Sequence, residues 1–229
     1  MSLPPESCTV ALPRIGAGMA AMSEVSRSDP DRGFERFAGT CAIVVGLGGL
    51  AYSISFVMIL RGSSNRTIAG TNAVFLLLGG ILTTAVFVAI YNRLRETSPS
   101  FALWALALGE LGAAGAAIHG GFNLASIIHP SQGATDLPSS IDPRGLLTFG
   151  VTAIAFFVIA WLIGRGPGFP RGLGYLGYAA AILSMVLYIG RLTIVNPKNP
   201  LMLTAAVLAG FIVNPLWYAW IGVRLRKEA

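Results

Sequence analysis

Six apolar runs, each about 20 residues or longer, divide this chain, and only short polar stretches separate them. A run of that length crosses roughly 30 Å of hydrocarbon as an α-helix that rises about 1.5 Å per residue. The runs cover 38–60, 71–91, 101–128, 145–164, 172–195 and 201–223. Membrane-spanning strands would be about ten residues long and would alternate apolar with polar, and these runs do neither. The expected fold class is all-α: a polytopic membrane protein with six transmembrane helices in a bundle.

Charge supports this reading. Only 11% of residues are charged, against about 25% in soluble domains. Too few charges remain to cover a wet surface, so the lipid bilayer is the expected partner. The net charge of +6 does not point to nucleic acid, because the basic residues flank apolar runs and no nucleic-acid motif interrupts them. Six spans place both ends of the transmembrane domain on one side. Of the 16 Lys and Arg, 11 fall on that side and 5 on the other. The positive-inside rule then puts both termini in the cytoplasm of a cell whose inner (plasma) membrane holds the protein.

Residues 1–37 read as a polar N-terminal tail, expected to be disordered, and 224–229 as a basic C-terminal tail. The apolar stretch from Cys8 to Met22 is broken by Pro13 and Arg14, too short to span and unlike a signal peptide. Met19 and Met22 are alternative starts. Asp31 to Phe37 suits a short interfacial turn, with Phe34 and Phe37 toward lipid. Asn92, Arg93 and Arg95 suit an interfacial anchor after the second run. Cys8 and Cys41 share no metal or redox spacing.

The third run, Phe101 to Ile128, carries Glu110, His119 and Asn123 among small and apolar residues. An ionisable group at membrane depth is costly and normally faces other helices or a cavity. Glu110 lies roughly 14 Å along the helix from Phe101. Asn214 in the sixth run lies at a similar depth, and a hydrogen bond between them would satisfy both. Glu110 is then either an uncharged brace or a carboxylate that carries a proton or cation. His119, nine residues on, points to the opposite face but shares a face with Asn123. Arg191, near the end of the fifth run, should sit at their level. A His119–Asn123–Arg191 cluster would suit an anion, a lipid headgroup or a quinone oxygen; the plainer alternative is that Arg191 snorkels and His119 bonds a carbonyl.

No cofactor is expected. His119 is the only His inside a run, so two histidines cannot face one haem across the bundle. His129, Asp136 and Asp142 have metal-ligand chemistry but no recognised spacing, and Asp beside Pro marks turns. Gly172 to Gly177 matches GxGxxG but opens an apolar span rather than a βαβ unit, so it reads as a smooth packing face. Gly46, Gly48 and Gly49, and the series Gly112, Ala116, Gly120, read likewise as sites of close helix approach. Trp217, Tyr218 and Trp220 suit an aromatic belt. Pro215 should kink the sixth helix and free a carbonyl one turn earlier, which makes its surroundings a pointer to a cavity. No catalytic constellation is present among these motifs.

In the order of its features the chain resembles a bacterial multi-pass membrane family known only as a domain of unknown function. The likeness rests on Arg36-Phe-Ala-Gly39 opening the first span, on Glu110 within the third, on Pro170-Arg-Gly-Leu-Gly174 entering the fifth, and on the Trp-rich last span from Trp217 to Arg224. The Arg that often precedes the third-span Glu in that family is missing here. The resemblance implies six helices and no activity. The leading functional expectation is a non-enzymatic interaction, assembly or accessory protein, as a homo-oligomer or beside a membrane-protein partner. The alternatives are a small proton-coupled carrier that uses Glu110 and a membrane lipid- or quinone-binding protein.

Overall fold

A computed structural model describes residues 29–129, 142–194, 196 and 199–227. The tail before residue 29, with Cys8, Met19 and Met22, lies outside the described residues, as do Asp136 and the last two residues. Among the described residues the chain is helical without strands. Its six helices are α1 Asp29–Leu60, α2 Arg66–Leu94, α3 Pro99–Ile128, α4 Pro143–Arg165, α5 Arg171–Thr193 and α6 Pro200–Lys227. All six are long and apolar enough to cross a membrane.

The helix ends follow from local chemistry. The Asn65 side chain accepts from the Thr67 N–H and opens α2, and Asn199 does the same for Leu201 ahead of α6. Pro99, Pro143 and Pro200 occupy first turns, where a missing N–H costs nothing. Arg66 donates to the carbonyls of Ile127 and Ile128, which terminates α3. The expected turn at 31–37 is instead the first part of α1, continuous with the span.

Each helix packs on its neighbours in sequence, and α6 closes against α1, so the six form a ring. Glycines set the closest crossings. A Cβ on Gly39 would stand 2.8 Å from the Gly222 carbonyl, and one on Gly222 would stand 2.6 Å from the Gly39 carbonyl. This reciprocal contact joins α1 to α6. A Cβ on Gly80 would meet the Ala113 carbonyl and the Ala117 N–H, both at 2.6 Å, where α2 crosses α3. Gly174 and Gly177 of the GxGxxG stretch face Ala160 on α4.

The end of the ring where α1 begins and α6 ends is packed solid. Phe156 meets Trp217 edge-on at 4.6 Å, and Phe87 and Tyr218 complete the stack. Trp217 is 0% exposed. This corrects the aromatic belt: Trp217 is a core residue, Tyr218 is half-buried, and only Trp220 faces outward. Arg93 is likewise not an interfacial anchor. It is buried and forms a paired contact with Glu35, Nη2 to Oε2 at 2.7 Å and Nε to Oε1 at 3.3 Å, with Phe169 of the α4–α5 turn against its guanidinium. Two charges share their hydrogen bonds here because neither finds water.

Candidate functional site

The opposite half of the ring is hollow. It holds a partly open cavity of about 540 Å³ to which all six helices contribute, within the range of roughly 300–1,000 Å³ typical of small-molecule sites. Phe87, Phe156 and Tyr218, the top of the aromatic stack, form its floor. On α1 the wall is a single stripe, Val45, Gly49, Ser53, Phe56 and Leu60, spaced four, four, three and four apart as one helix face requires.

Polar groups sit at three levels. Arg144, Arg191 and Asn196 line the rim, away from the aromatic floor. Tyr52, Ser53, Thr148 and Ser184 lie in the middle. Asn214, Thr83 and Tyr218 lie at the bottom, with the Tyr218 hydroxyl facing Thr83. The depth follows from helix register. A Cβ on Gly190 would touch Met202, so the Arg191 turn is level with Met202; Asn214 is twelve residues further along α6, about 18 Å deeper.

Arg191 stacks over Phe149 at 5.4 Å and acts electrostatically on the Tyr52 hydroxyl. Among the described residues no carboxylate pairs with it. Asp142, the nearest acid in sequence to the rim on α4, is committed elsewhere. Its carboxylate accepts from the Leu147 N–H at 2.6 Å, the Thr148 N–H at 3.3 Å and the Thr148 hydroxyl at 2.7 Å, capping the start of α4.

Two widened turns flank the cavity. Leu146–Val151 on α4 and Leu208–Val213 on α6 are π-helical, a geometry that recurs at functional sites. The second explains how α6 accommodates Pro215. The Asn214 N–H reaches back five residues to the Ala209 carbonyl, so the expected break is a wide turn in a continuing helix.

The five residues singled out from the sequence divide. Arg191 and Asn214 line this cavity, at opposite ends. Glu110 does not line it. It precedes Gly112, a cavity residue, by two positions, which turns it about 160° away. No hydrogen bond joins Glu110 to Asn214: Glu110 Oε1 and Asn214 Oδ1 are both buried without a partner, which overturns the expected pairing. His119 and Asn123 share the face of Gly112 but stand about two and three turns nearer the rim end, and neither lines the cavity. His119 has an interaction of its own. Of the expected three-residue cluster only Arg191 lines the cavity.

The small-residue series also divides. Gly112 approaches Thr152 on α4, Ala116 lines the cavity, and Gly120 approaches Leu77 and Ala73 on α2. Gly46 contacts α6 and Gly48 contacts Phe75, whereas Gly49 has open space in front of it. Among the described residues no group of His, Cys, Asp or Glu gathers as a metal site. Sequence reasoning missed Tyr52, Ser53, Thr83, Ser184 and Arg144; the signal for Ser53 was its spacing from Gly49 and Phe56.

The fold and cavity define an all-α polytopic membrane protein with an internal, largely apolar chamber. Comparison with protein-family models, curated proteins and solved structures found no match.

Proposed function

We propose that this is a non-enzymatic bacterial inner-membrane protein that binds an amphipathic small molecule inside its helix ring, with both termini cytoplasmic. One observation carries the binding reading: a hollow half-ring with apolar walls whose rim holds Arg191, a cation with no carboxylate against it among the described residues. Arg191 is half-buried at the cavity rim; a cation at membrane depth without a counter-charge is costly, and a ligand with a polar head and apolar body would supply what the site lacks. Glu110 lies outside the chamber lining, which weighs against a proton-coupled carrier that uses it.

The test is mass spectrometry of small molecules extracted from the gently solubilised protein. One amphiphile, near stoichiometric and absent from a Gly49→Leu variant, is the expected result. A Cβ on Gly49 meets nothing within 4 Å, so the leucine enters the chamber without displacing backbone. A complement of bulk lipid only, identical in both proteins, would refute the reading.

A further inference from the structure

We infer that the ligand is a single-chain anionic amphiphile, its carboxylate or phosphate head on Arg191 and its chain reaching down to the Asn214 level. The inference rests on the binding reading above and names the chemistry of its ligand. Three observations lead to it.

The first is charge. The rim carries two guanidinium groups, Arg191 and Arg144. The neighbouring acid, Asp142, already accepts three hydrogen bonds at the α4 start. Arg191 lies over Phe149 and makes no ion pair among the described residues. A guanidinium presents a planar fork of donors that suits carboxylate and phosphate oxygens alike. Tyr52 adds a hydroxyl near the same charge.

The second is the wall below the rim. Phe56, Phe75, Leu187 and Phe211 line it. Three of the lining hydroxyls are already engaged: Ser53 donates to the Gly49 carbonyl, Thr152 to the Leu147 carbonyl and Thr148 to the Asp142 carboxylate. Such a wall asks for methylenes rather than for a polar body.

The third is length. The Arg191 and Asn214 levels are about 18 Å apart by helical rise. With a C–C bond about 1.5 Å long, an extended chain advances about 1.25 Å per carbon, so about 14 carbons fill that depth. The aromatic floor of Phe87, Phe156 and Tyr218 then stops the chain.

The experiment measures equilibrium binding of labelled tetradecanoate, tetradecyl phosphate and tetradecanol to the full chain in a nonionic detergent. The wild type is compared with Arg191→Gln, Arg191→Lys, Gly49→Leu and the loop control Arg61→Gln. At least one anion should bind the wild type more tightly than the alcohol, with Arg191→Gln weakening it about tenfold to a hundredfold, as loss of a charge-assisted pair does. Arg191→Lys should recover most of that loss, and Arg61→Gln should change nothing. Binding of tetradecanoate alone assigns a carboxylate head, of tetradecyl phosphate alone a phosphate head, and of both the shared anion chemistry; each supports the inference. Alcohol binding as tight as either anion, unmoved by Arg191→Gln but abolished by Gly49→Leu, overturns the anionic head and leaves the chamber as a binding site. Binding of every probe unchanged in Gly49→Leu overturns the chamber reading itself.

Discussion

Gly79 and Gly80 are neighbours on α2 with opposite surroundings, and alanine at each should give opposite results. A Cβ on Gly79 meets nothing within 4 Å, because it opens on the cavity. A Cβ on Gly80 would lie 2.6 Å from the Ala113 carbonyl oxygen and the Ala117 nitrogen, and 2.9 Å from the Ala117 Cβ. Two of those atoms are backbone of α3 and cannot rotate aside. Comfortable separations are about 3.5–4.0 Å, so α3 must retreat by about 1 Å across this crossing. Alanine in place of a helical glycine gains about 0.5–1 kcal/mol of backbone propensity at either position. That gain cancels when the two variants are compared with each other. What remains is overpacking at Gly80, about 1–3 kcal/mol. At about 2–4 °C per kcal/mol for a chain of this size, Gly80→Ala should melt about 2–12 °C below Gly79→Ala. A thermal scan of tryptophan fluorescence in detergent reads this directly. Equal midpoints, or a more stable Gly80→Ala, would show that α2 and α3 do not cross at this point.

Removing one half of the buried ion pair, as in Arg93→Met, should cost about 3–5 kcal/mol because Glu35 is left charged and unpaired; the Arg93→Met, Glu35→Met double variant should recover most of this, and a single variant that melts like wild type would contradict the burial. Trp217→Ala should cost about 3–5 kcal/mol, whereas Trp220→Ala on the outward face should stay within about 0.5 kcal/mol; the same scan, followed by tyrosine fluorescence where a tryptophan is lost, tells them apart. Glu110→Gln should leave amphiphile binding at the wild-type level, since Glu110 stands outside the chamber; loss of binding would relocate the site to α3's far face.

The six helices were legible in the sequence because lipid imposes a length and a composition on any span, and both can be counted. The interior was less legible because it depends on which faces meet. Arg93 follows an apolar run, as a membrane anchor would, and only the closure of α1 against α2 and the α4–α5 turn shows that it is buried on Glu35. Trp217 and Trp220 are three residues apart and chemically alike, yet one is core and the other faces outward. Depth along a helix suggested a bond between Glu110 and Asn214, but depth carries no information about azimuth, and Asn214 lines the cavity whereas Glu110 does not. The same 100° per residue arithmetic that set Glu110 opposite His119 would have placed His119 on the Gly112 face. What it lacked was the knowledge that this face lines the chamber only around Gly112 and Ala116 and not as far as His119.

The two halves of the ring explain each other. A hollow bundle of helices in lipid has no hydrophobic force holding it open, since lipid tails are as apolar as its own side chains. Something must fix the helix axes so that the space is not simply closed by collapse. At the solid end this is done three ways: by the Glu35–Arg93 pair between α1 and α2, by the reciprocal Gly39–Gly222 approach between α1 and α6, and by the Phe87–Phe156–Trp217–Tyr218 stack across the centre. At the hollow end lie the widened turns of α4 and α6 and the Asp142 cap that fixes where α4 begins. Arg191 then holds a positive charge where a collapsed bundle would have to bury it on phenylalanine alone. A chamber braced at one end and cationic at the other matches the proposed occupant, head at the rim and chain toward the aromatic floor.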